Sequence, residues 1–369
     1  MKILRISLTY PTQKKNGIGL HAFHLSQDPS IETLIITKKQ YGKPLKSIKQ
    51  VRVHRIKLNS VGFKQSKSLL LNLFPVLNFI LSQLKFFLFG LKSAIKFNPQ
   101  IVQCHSPHGF LYALFFKLIL NKKTVLSFHG SDLQRLKNYP LILKIILKLF
   151  DLILVVDTNM LTILNSISKN LNTFHAPGGV EYDFFNYDSE NFTGDQFLAV
   201  GNVRWQKDYQ TMVDGFKIFN QKNENKFMLK IIGDYSQNEK FVKNNQTKQI
   251  TFSGNRKKIE IRDEMNNSIA LVLTSISEGL PKVILEGMSC GLPVITTDVG
   301  SCAILVDNSK KGIIISKIKS PNELSNSLQE FLKTRNFYNK NYIRQSVKQY
   351  SWVTLRKNLY QRYDELLKE

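Results

Sequence analysis

Two carboxylates eight residues apart are the first feature of this chain that could do chemistry. Glu278 and Glu286 lie in TSISEGLPKVILEGMSCGLPVITTDVG, residues 274–300. Apolar runs flank the loop and helix of this stretch at 269–273 and 293–297, each bounded by Gly, Pro or Ser. The pattern predicts strand, loop, helix, strand. Pro281 suits the first helical position, where its missing N–H would be unpaired anyway, and Gly291 suits the stop. Glu278 then falls in the loop at a strand's carboxyl end, and Glu286 on the helix that follows. In an open parallel sheet such loops line the ligand crevice, so both carboxylates can face one bound molecule. An ordinary buried βαβ unit, with one surface Glu and one capped Glu, fits the same spacing.

Cations and imidazoles stand at other strand ends. A strand predicted at 197–201 runs into Asn202, Arg204 and Lys207. Arg offers two parallel N–H bonds to an oxyanion and Lys a point charge; two ordinary surface cations are the alternative. Strands predicted at 99–104 and 124–128 end in His105-Ser-Pro-His108-Gly109 and His129-Gly130-Ser131-Asp132, on the same crevice side. A lone His at a strand end is most often just a hydrogen-bonded residue. His21/His24 and His105/His108 share a three-residue spacing, but no Cys or acid cluster joins them, so no metal site is expected. Gly17-Ile-Gly19-Leu-His-Ala22 formally matches the dinucleotide fingerprint. The loop at 9–19 that carries it is long, and basic residues stand where a ribose-binding acid is expected, which argues against that reading.

The elements that position these residues follow the α/β alternation of a chain long enough for two domains, with 369 residues and 43% apolar content. Further strands are predicted at 3–8, 33–37, 51–58, 152–156, 229–232, 250–252, 295–298 and 313–315. Residues 68–97 are uncharged up to Leu84 and then carry Lys85, Lys92 and Lys96. Asn72, Pro75, Asn78, Ser82 and Gln83 interrupt the apolar run. One or two helices lying on a membrane, or buried in the domain, fit this better than a span, which needs about 20 apolar residues. Residues 141–150 place Lys144 and Lys148 on one side of a second apolar helix. An amphipathic helix is predicted at 351–367.

Charge is unevenly spread. Residues 1–150 hold 24 Lys and Arg against three acids (Asp28, Glu32 and Asp132), leaving only +4 of the net +25 for the rest. Such asymmetry suggests an anionic partner for the first half, either nucleic acid or an acidic membrane surface. Lys- and Asn-rich codon usage would produce some of the same excess. No RNA-binding module with aromatics interleaved among cations is visible, so nucleic acid is not expected. Three cysteines with no C-x-x-C pair suggest a reduced, cytosolic setting. Residues 1–8 do not read as a signal peptide.

Glu278 and Glu286, with Gly279, Pro281, Gly291, Pro293 and Val294 around them, resemble the nucleotide-sugar signature of retaining glycosyltransferases with the GT-B fold, most closely their family 4, the glycosyl transferases group 1. The resemblance is dense over 274–300 and thinner over 1–180. It implies two Rossmann-like, doubly wound parallel-sheet domains facing a central cleft, with a C-terminal helix crossing back to the N-terminal domain. The expected division is an acceptor-binding domain at 1–185, joined by the terminal helix 352–369; a linker at 186–196; and a nucleotide-sugar domain at 197–350. By the same resemblance Glu286 binds the ribose, Glu278 faces the donor sugar, and the backbone of Gly279, Leu280, Pro281, Lys282 and Val283 faces the diphosphate. His129 lies beside the donor sugar. Gly201, Gly233 and Arg256 belong to the donor side, and Gly17, Gly19 and His105 to the acceptor and phosphate side.

The family's usual Arg after the strand glycine is Asn202 here, so Arg204 is expected to stand in for it beside Lys207. A cation there is chemically needed, because a departing nucleoside diphosphate develops charge that must be held. No Asp-x-Asp occurs in the chain, so this positive clamp is expected to replace a divalent ion, with no cofactor beyond the donor and a UDP-sugar favoured over a GDP-sugar. The expected activity is transfer of a hexose, with retention, to a lipid-linked or surface-polysaccharide acceptor of capsule, O-antigen or lipopolysaccharide type. The protein would then sit peripherally at the inner face of a bacterial cell membrane. A GT-B-fold sugar-nucleotide epimerase, or a basic nucleic-acid-binding protein, are the alternatives.

Overall fold

A computed structural model describes residues 1–11, 17–40, 45–57, 69–189, 194–306 and 310–369. Residues 12–16 of the loop expected at 9–19, the end of the expected 51–58 strand and the 190–193 part of the expected linker lie outside them. The chain forms two compact units, Met1–Pro177 with Leu355–Glu369, and Gly178–Thr354.

The first unit is built on a seven-stranded sheet. Its strands are β1 (Lys2–Ile6), β2 (Glu32–Lys38), β3 (Val51–Ile56), β4 (Ile101–Cys104), β5 (Lys123–Phe128), β6 (Leu152–Val155) and β7 (Thr173–His175). Their order is β3-β2-β1-β4-β5-β6-β7, and every pairing is parallel. The β1, β2, β4, β5 and β6 strands are largely buried, as expected of a parallel sheet covered on both faces, whereas β3 carries Arg52, His54 and Arg55. The order reverses between β1 and β4, the place where doubly wound sheets bind ligands.

The second unit repeats the plan with β8 (Gln196–Val200), β9 (Met228–Ile232), β10 (Ile250–Phe252), β11 (Ala270–Leu273), β12 (Val294–Thr297) and β13 (Gly312–Ile315). The order is β10-β9-β8-β11-β12-β13, again parallel, with its reversal between β8 and β11. Its core centres on Phe197, whose ring meets those of Phe216, Phe219, Phe227 and Phe331. Burying so many rings supplies apolar area at about 25 cal/mol per Å².

The terminal helix Trp352–Lys368 is joined from Leu355 onward to the first unit. Its anchors are polar. Tyr360 OH donates to Leu25 O, Arg356 Nη1 to His24 O at 3.0 Å, and Arg362 Nη2 to Asn172 Oδ1 at 2.8 Å. Arg5, a fully buried cation on β1, closes this contact. It donates to Leu25 O at 3.2 Å, to Tyr360 OH at 3.3 Å and to Gln103 Oε1. A buried cation is tolerated only when hydrogen-bonded in this way.

The apolar stretch at 68–97 is one helix, Leu69–Phe97. Phe86, Ala94 and Phe97 are buried, whereas Leu81, Leu84, Leu88, Phe89 and Ile95 are exposed. The Pro140–Lys148 helix divides alike, burying Leu143 and Leu147 and exposing Leu141, Ile142 and Ile145. Among the described residues no helix is long and apolar enough to cross a membrane.

Candidate functional site

At the β8/β11 reversal two loops are sewn together. The β8 strand ends just before Gly201, and the backbone leaving β9 passes so closely at Gly233 that a Cβ there would lie 2.0 Å from Gly201 O. Only glycine permits that approach. Asn202 fixes the turn, because its Oδ1 accepts from Asp234 N at 3.2 Å, and Val203 N donates to Asp234 O at 2.8 Å. The residue standing where the family's Arg is expected is therefore an anchor for the loop.

A short 3-10 turn, Trp205–Lys207, then meets the loop after β11. Ile276 N donates to Gln206 O at 2.8 Å, and Thr274 Oγ1 donates to Lys207 O and Asp208 O at 3.1 and 3.0 Å. These bonds bring Lys207 Nζ to 2.5 Å from Glu278 Oε1. Ser275 Oγ donates to the same oxygen at 2.6 Å. Among the described residues both of these contacts fall on Oε1, so Oε2 can accept from a ligand hydroxyl. Behind the loop, Gly300 takes φ +57°, and a Cβ there would lie 2.2 Å from Glu278 O. Glycine at 300 thus lets the chain after β12 press against the Glu278–Gly279 backbone.

The result is a cleft of about 380 Å³. The β8 side supplies Asn202, Arg204, Gln206 and Lys207, and the β11 side Ser277, Glu278 and Gly279. Arg204 is exposed, while Lys207 and Glu278 are half-buried. Lys207 is thereby held as a positioned point charge and Arg204 as a second cation beside it. Such an arrangement suits an anion that also carries hydroxyls.

The other residues expected on the donor side take varied places. Leu280, Pro281, Lys282 and Val283 lead into the Lys282–Ser289 helix, with Pro281 at the N-cap, one residue earlier than the expected first helical position. That helix is stopped at Gly291, whose φ is +69°. Glu286 is half-buried on this helix and is not among the residues lining the cleft. Arg256 is also outside the lining; it sits on the loop after β10, 3.9 Å from Glu260.

In the first unit Gly17 and Gly19 open a helix, Gly17–Ser26, so they are helical residues and not part of the loop expected at 9–19. The reason is steric at Gly19, where a Cβ would sit 3.0 Å from Thr9 O and 3.2 Å from Tyr10 Cα. The glycine lets the helix lie against the strand-exit backbone.

His105 and His129 each follow a strand directly. Their positions continue the face that carries Gln103 and Ser127, since alternate residues share a face. Gln103 Nε2 donates to Ser127 Oγ at 2.8 Å beneath them. Asp132 accepts from the His129 backbone N–H at 2.9 Å, so its carboxylate fixes the chain there and does not orient the ring. His21, from the glycine-led helix, completes a triangle. Ring centroids are 5.1 Å apart for His21–His129, 6.0 Å for His21–His105 and 5.7 Å for His105–His129. Burial, with the neighbouring His129, Arg5 and His21, holds the His105 imidazole well below its ordinary pKa and so neutral. His108 turns instead toward Ser106, with Oγ 3.0 Å from Nδ1. The two sequence pairs, His21/His24 and His105/His108, are therefore not the set that meets in space. The sequence pairs His21 only with His24, because its partners in space follow β4 and β5.

Residues 187–348 match the family model described as Glycosyl transferases group 1. The chain is 27% identical over 349 residues to the uncharacterized glycosyltransferase MJ1178 of Methanocaldococcus jannaschii, covering 90% of this chain and 88% of that one. Among solved structures it is similar to a sucrose-phosphate synthase from Thermosynechococcus elongatus, with TM-score 0.75 and 17% identity over 100% of this chain and 99% of that one. It is likewise similar to Anabaena Alr3699/HepE in complex with UDP-glucose, with TM-score 0.69 and 14% identity over 99% and 100% of the two chains. Two parallel α/β sheets with these neighbours define the GT-B fold.

Proposed function

We propose that this chain is a retaining, family 4 glycosyltransferase that moves a hexose from a nucleotide-diphosphate sugar, with UDP as the favoured nucleotide. The observation that carries the reading is the Ser275–Glu278–Lys207 chain at the mouth of a cleft that also holds Arg204. Lys207 and Arg204 stabilise the departing diphosphate as the glycosidic bond breaks, without a divalent ion at that position. Glu278 Oε2 accepts from a sugar hydroxyl. Glu286 binds the ribose. Removing one such preorganised donor typically lowers turnover by about 10²–10³.

For the acceptor we propose a lipid-linked or surface-polysaccharide saccharide at the inner face of a bacterial membrane. The support is in the first half of the chain, where a net +21 coincides with exposed Leu and Phe on the Leu69–Phe97 helix and exposed Leu and Ile on Pro140–Lys148. Each Lys or Arg close to an anionic surface contributes about 1 kcal/mol.

A donor screen tests the enzyme reading. Purified protein is mixed with UDP-, GDP- and ADP-sugars in EDTA and followed for thermal stabilisation and slow donor hydrolysis. One nucleotide class should stabilise the protein and be hydrolysed slowly to the diphosphate. Conversion of the sugar to its epimer would identify an epimerase, and indifference to every donor would remove the transferase reading.

A further inference from the structure

The triangle of imidazoles in the first unit is outside the carboxylate and cation chemistry of the second. His21, His105 and His129 come from the Gly17–Ser26 helix, the end of β4 and the end of β5. Each offers one ring nitrogen such that all three atoms lie within 4.8 Å of one another. His21 and His105 are 4% and 1% exposed, so two of the three ligands are already withdrawn from water. Among the described residues neither ring nitrogen of His105 has a hydrogen-bond partner. A neutral imidazole always carries one N–H and one lone pair. Leaving both buried and unused forfeits their hydration with nothing in return, and such a group calls for an explanation.

We infer that His21, His105 and His129 form a binding site for one borderline transition-metal dication, with Zn²⁺ the ion the ligand set favours. Zinc takes three imidazoles at about 2.0–2.1 Å and keeps a fourth position for water or an anion. Tetrahedral ligands at that distance stand about 3.3 Å apart, so small rotations of the rings close the set. Ring centroids at 5.1–6.0 Å are already near what such a site needs. Mg²⁺ and Ca²⁺ are excluded by chemistry, because they demand oxygen ligands and the cluster has none. Imidazole suits Zn, Cu, Fe and Ni. No carboxylate belongs to the set, and Arg5 is near enough to His105 to disfavour its charged form. The fourth position is therefore left to water or a small anion, such as hydroxide, chloride or a phosphate oxygen.

Binding holds three elements of the first unit together at its topological reversal. The metal site does not rest on the transferase reading above, and its test reads no activity.

The experiment uses untagged full-length protein, stripped with chelator and then dialysed free of it. Co²⁺ and Zn²⁺ are titrated by calorimetry, and Co²⁺ is also followed by its visible absorption. The expected result is one equivalent bound, with the intense d–d bands of four-coordinate Co²⁺ that Zn²⁺ then abolishes. His21→Gln should weaken binding at least tenfold, and His24→Gln, on the same helix but outside the triangle, should leave it unchanged. Equal losses in both variants, or no stoichiometric binding by the parent protein, would overturn the site and leave the cluster as packed rings. Should His21→Gln fail to fold, zinc X-ray absorption on the parent protein decides. Three imidazole scatterers at about 2.0 Å support the site, and a shell without them overturns it.

Discussion

Lys207 and Glu278 are 71 residues apart in the chain and 2.5 Å apart in the structure. The charge pair matters because each partner sets the other's position. Ser275 pins the carboxylate, the carboxylate pins the ammonium, and neither must reorganise when a diphosphate arrives. Arg204 is less constrained, exposed on the cleft rim. Arg204→Ala should lower steady-state donor hydrolysis by about 10²-fold, and Arg204→Lys by less, because a point charge replaces part of what the planar fork supplies. Glu286→Ala should weaken nucleotide-sugar affinity by calorimetry through loss of a charge-assisted hydrogen bond of about 1.5–3 kcal/mol, which is roughly 10- to 150-fold. Unchanged affinity would take Glu286 out of the site. At this scale the sequence carries residue types well and partners poorly. Glu278 and Lys207 could be named from their strand ends, but nothing in the linear spacing shows that Ser275 shares their oxygen. Asn202 reads as a missing cation in the sequence and is a loop anchor in space. The His triangle is invisible for the same reason, as its three members come from three separate βα connections.

Between elements, the strands other than β7 were legible because buried parallel strands are mostly short apolar runs bounded by Gly, Pro or Asn; β7, Thr173–His175, is short and only partly buried and gave no such run. Expected strand limits and observed ones differ by one or two residues at most described ends, which is the ordinary fraying of such boundaries. The glycine-led helix is the instructive exception. Gly17 and Gly19 look like part of a loop, yet Gly19 lets a regular helix lie close against Thr9 and Tyr10. Polar fastening between elements was likewise not legible. Asp151, just before β6, accepts from Thr124 N at 2.7 Å, Thr124 Oγ1 at 2.8 Å and Lys117 Nζ at 2.9 Å. It thereby ties β5 to the Phe110–Leu118 helix. Burial alone would raise its pKa, but Lys117 and Thr124 outweigh burial and leave it below the ordinary carboxylate range. A depressed folded value means that this stabilisation is complete above the unfolded value of about 3.9 and is lost as pH falls through the folded value. Asp151→Asn should therefore cost about 1–3 kcal/mol of stability at neutral pH, and the gap between variant and parent should close in acid. Denaturant unfolding at several pH values checks both; a gap that persists in acid would contradict the assignment.

For the whole molecule, the fold follows from a pattern repeated twice, and the repetition explains why a two-domain reading needed no knowledge of any single contact. Charge, by contrast, distinguishes the two halves. Vesicles containing anionic lipid should co-sediment the protein at low salt, and the bound fraction should fall steeply as salt screens the attraction. Replacing Leu141 and Ile145, which are 77% and 64% exposed, by Ser should weaken the association without unfolding the protein. Neutral vesicles binding equally well would remove the basic surface from the account. The central claim concerns the cleft of the second unit, and one titration tests it most directly. UDP and a panel of UDP-sugars are titrated by calorimetry, in EDTA, into the parent protein and into Lys207→Met. The account predicts saturable binding by the parent that survives EDTA, with an affinity at least tenfold weaker in the variant. Failure of the parent to bind any UDP ligand, binding that vanishes with EDTA, or equal affinity in Lys207→Met would contradict it.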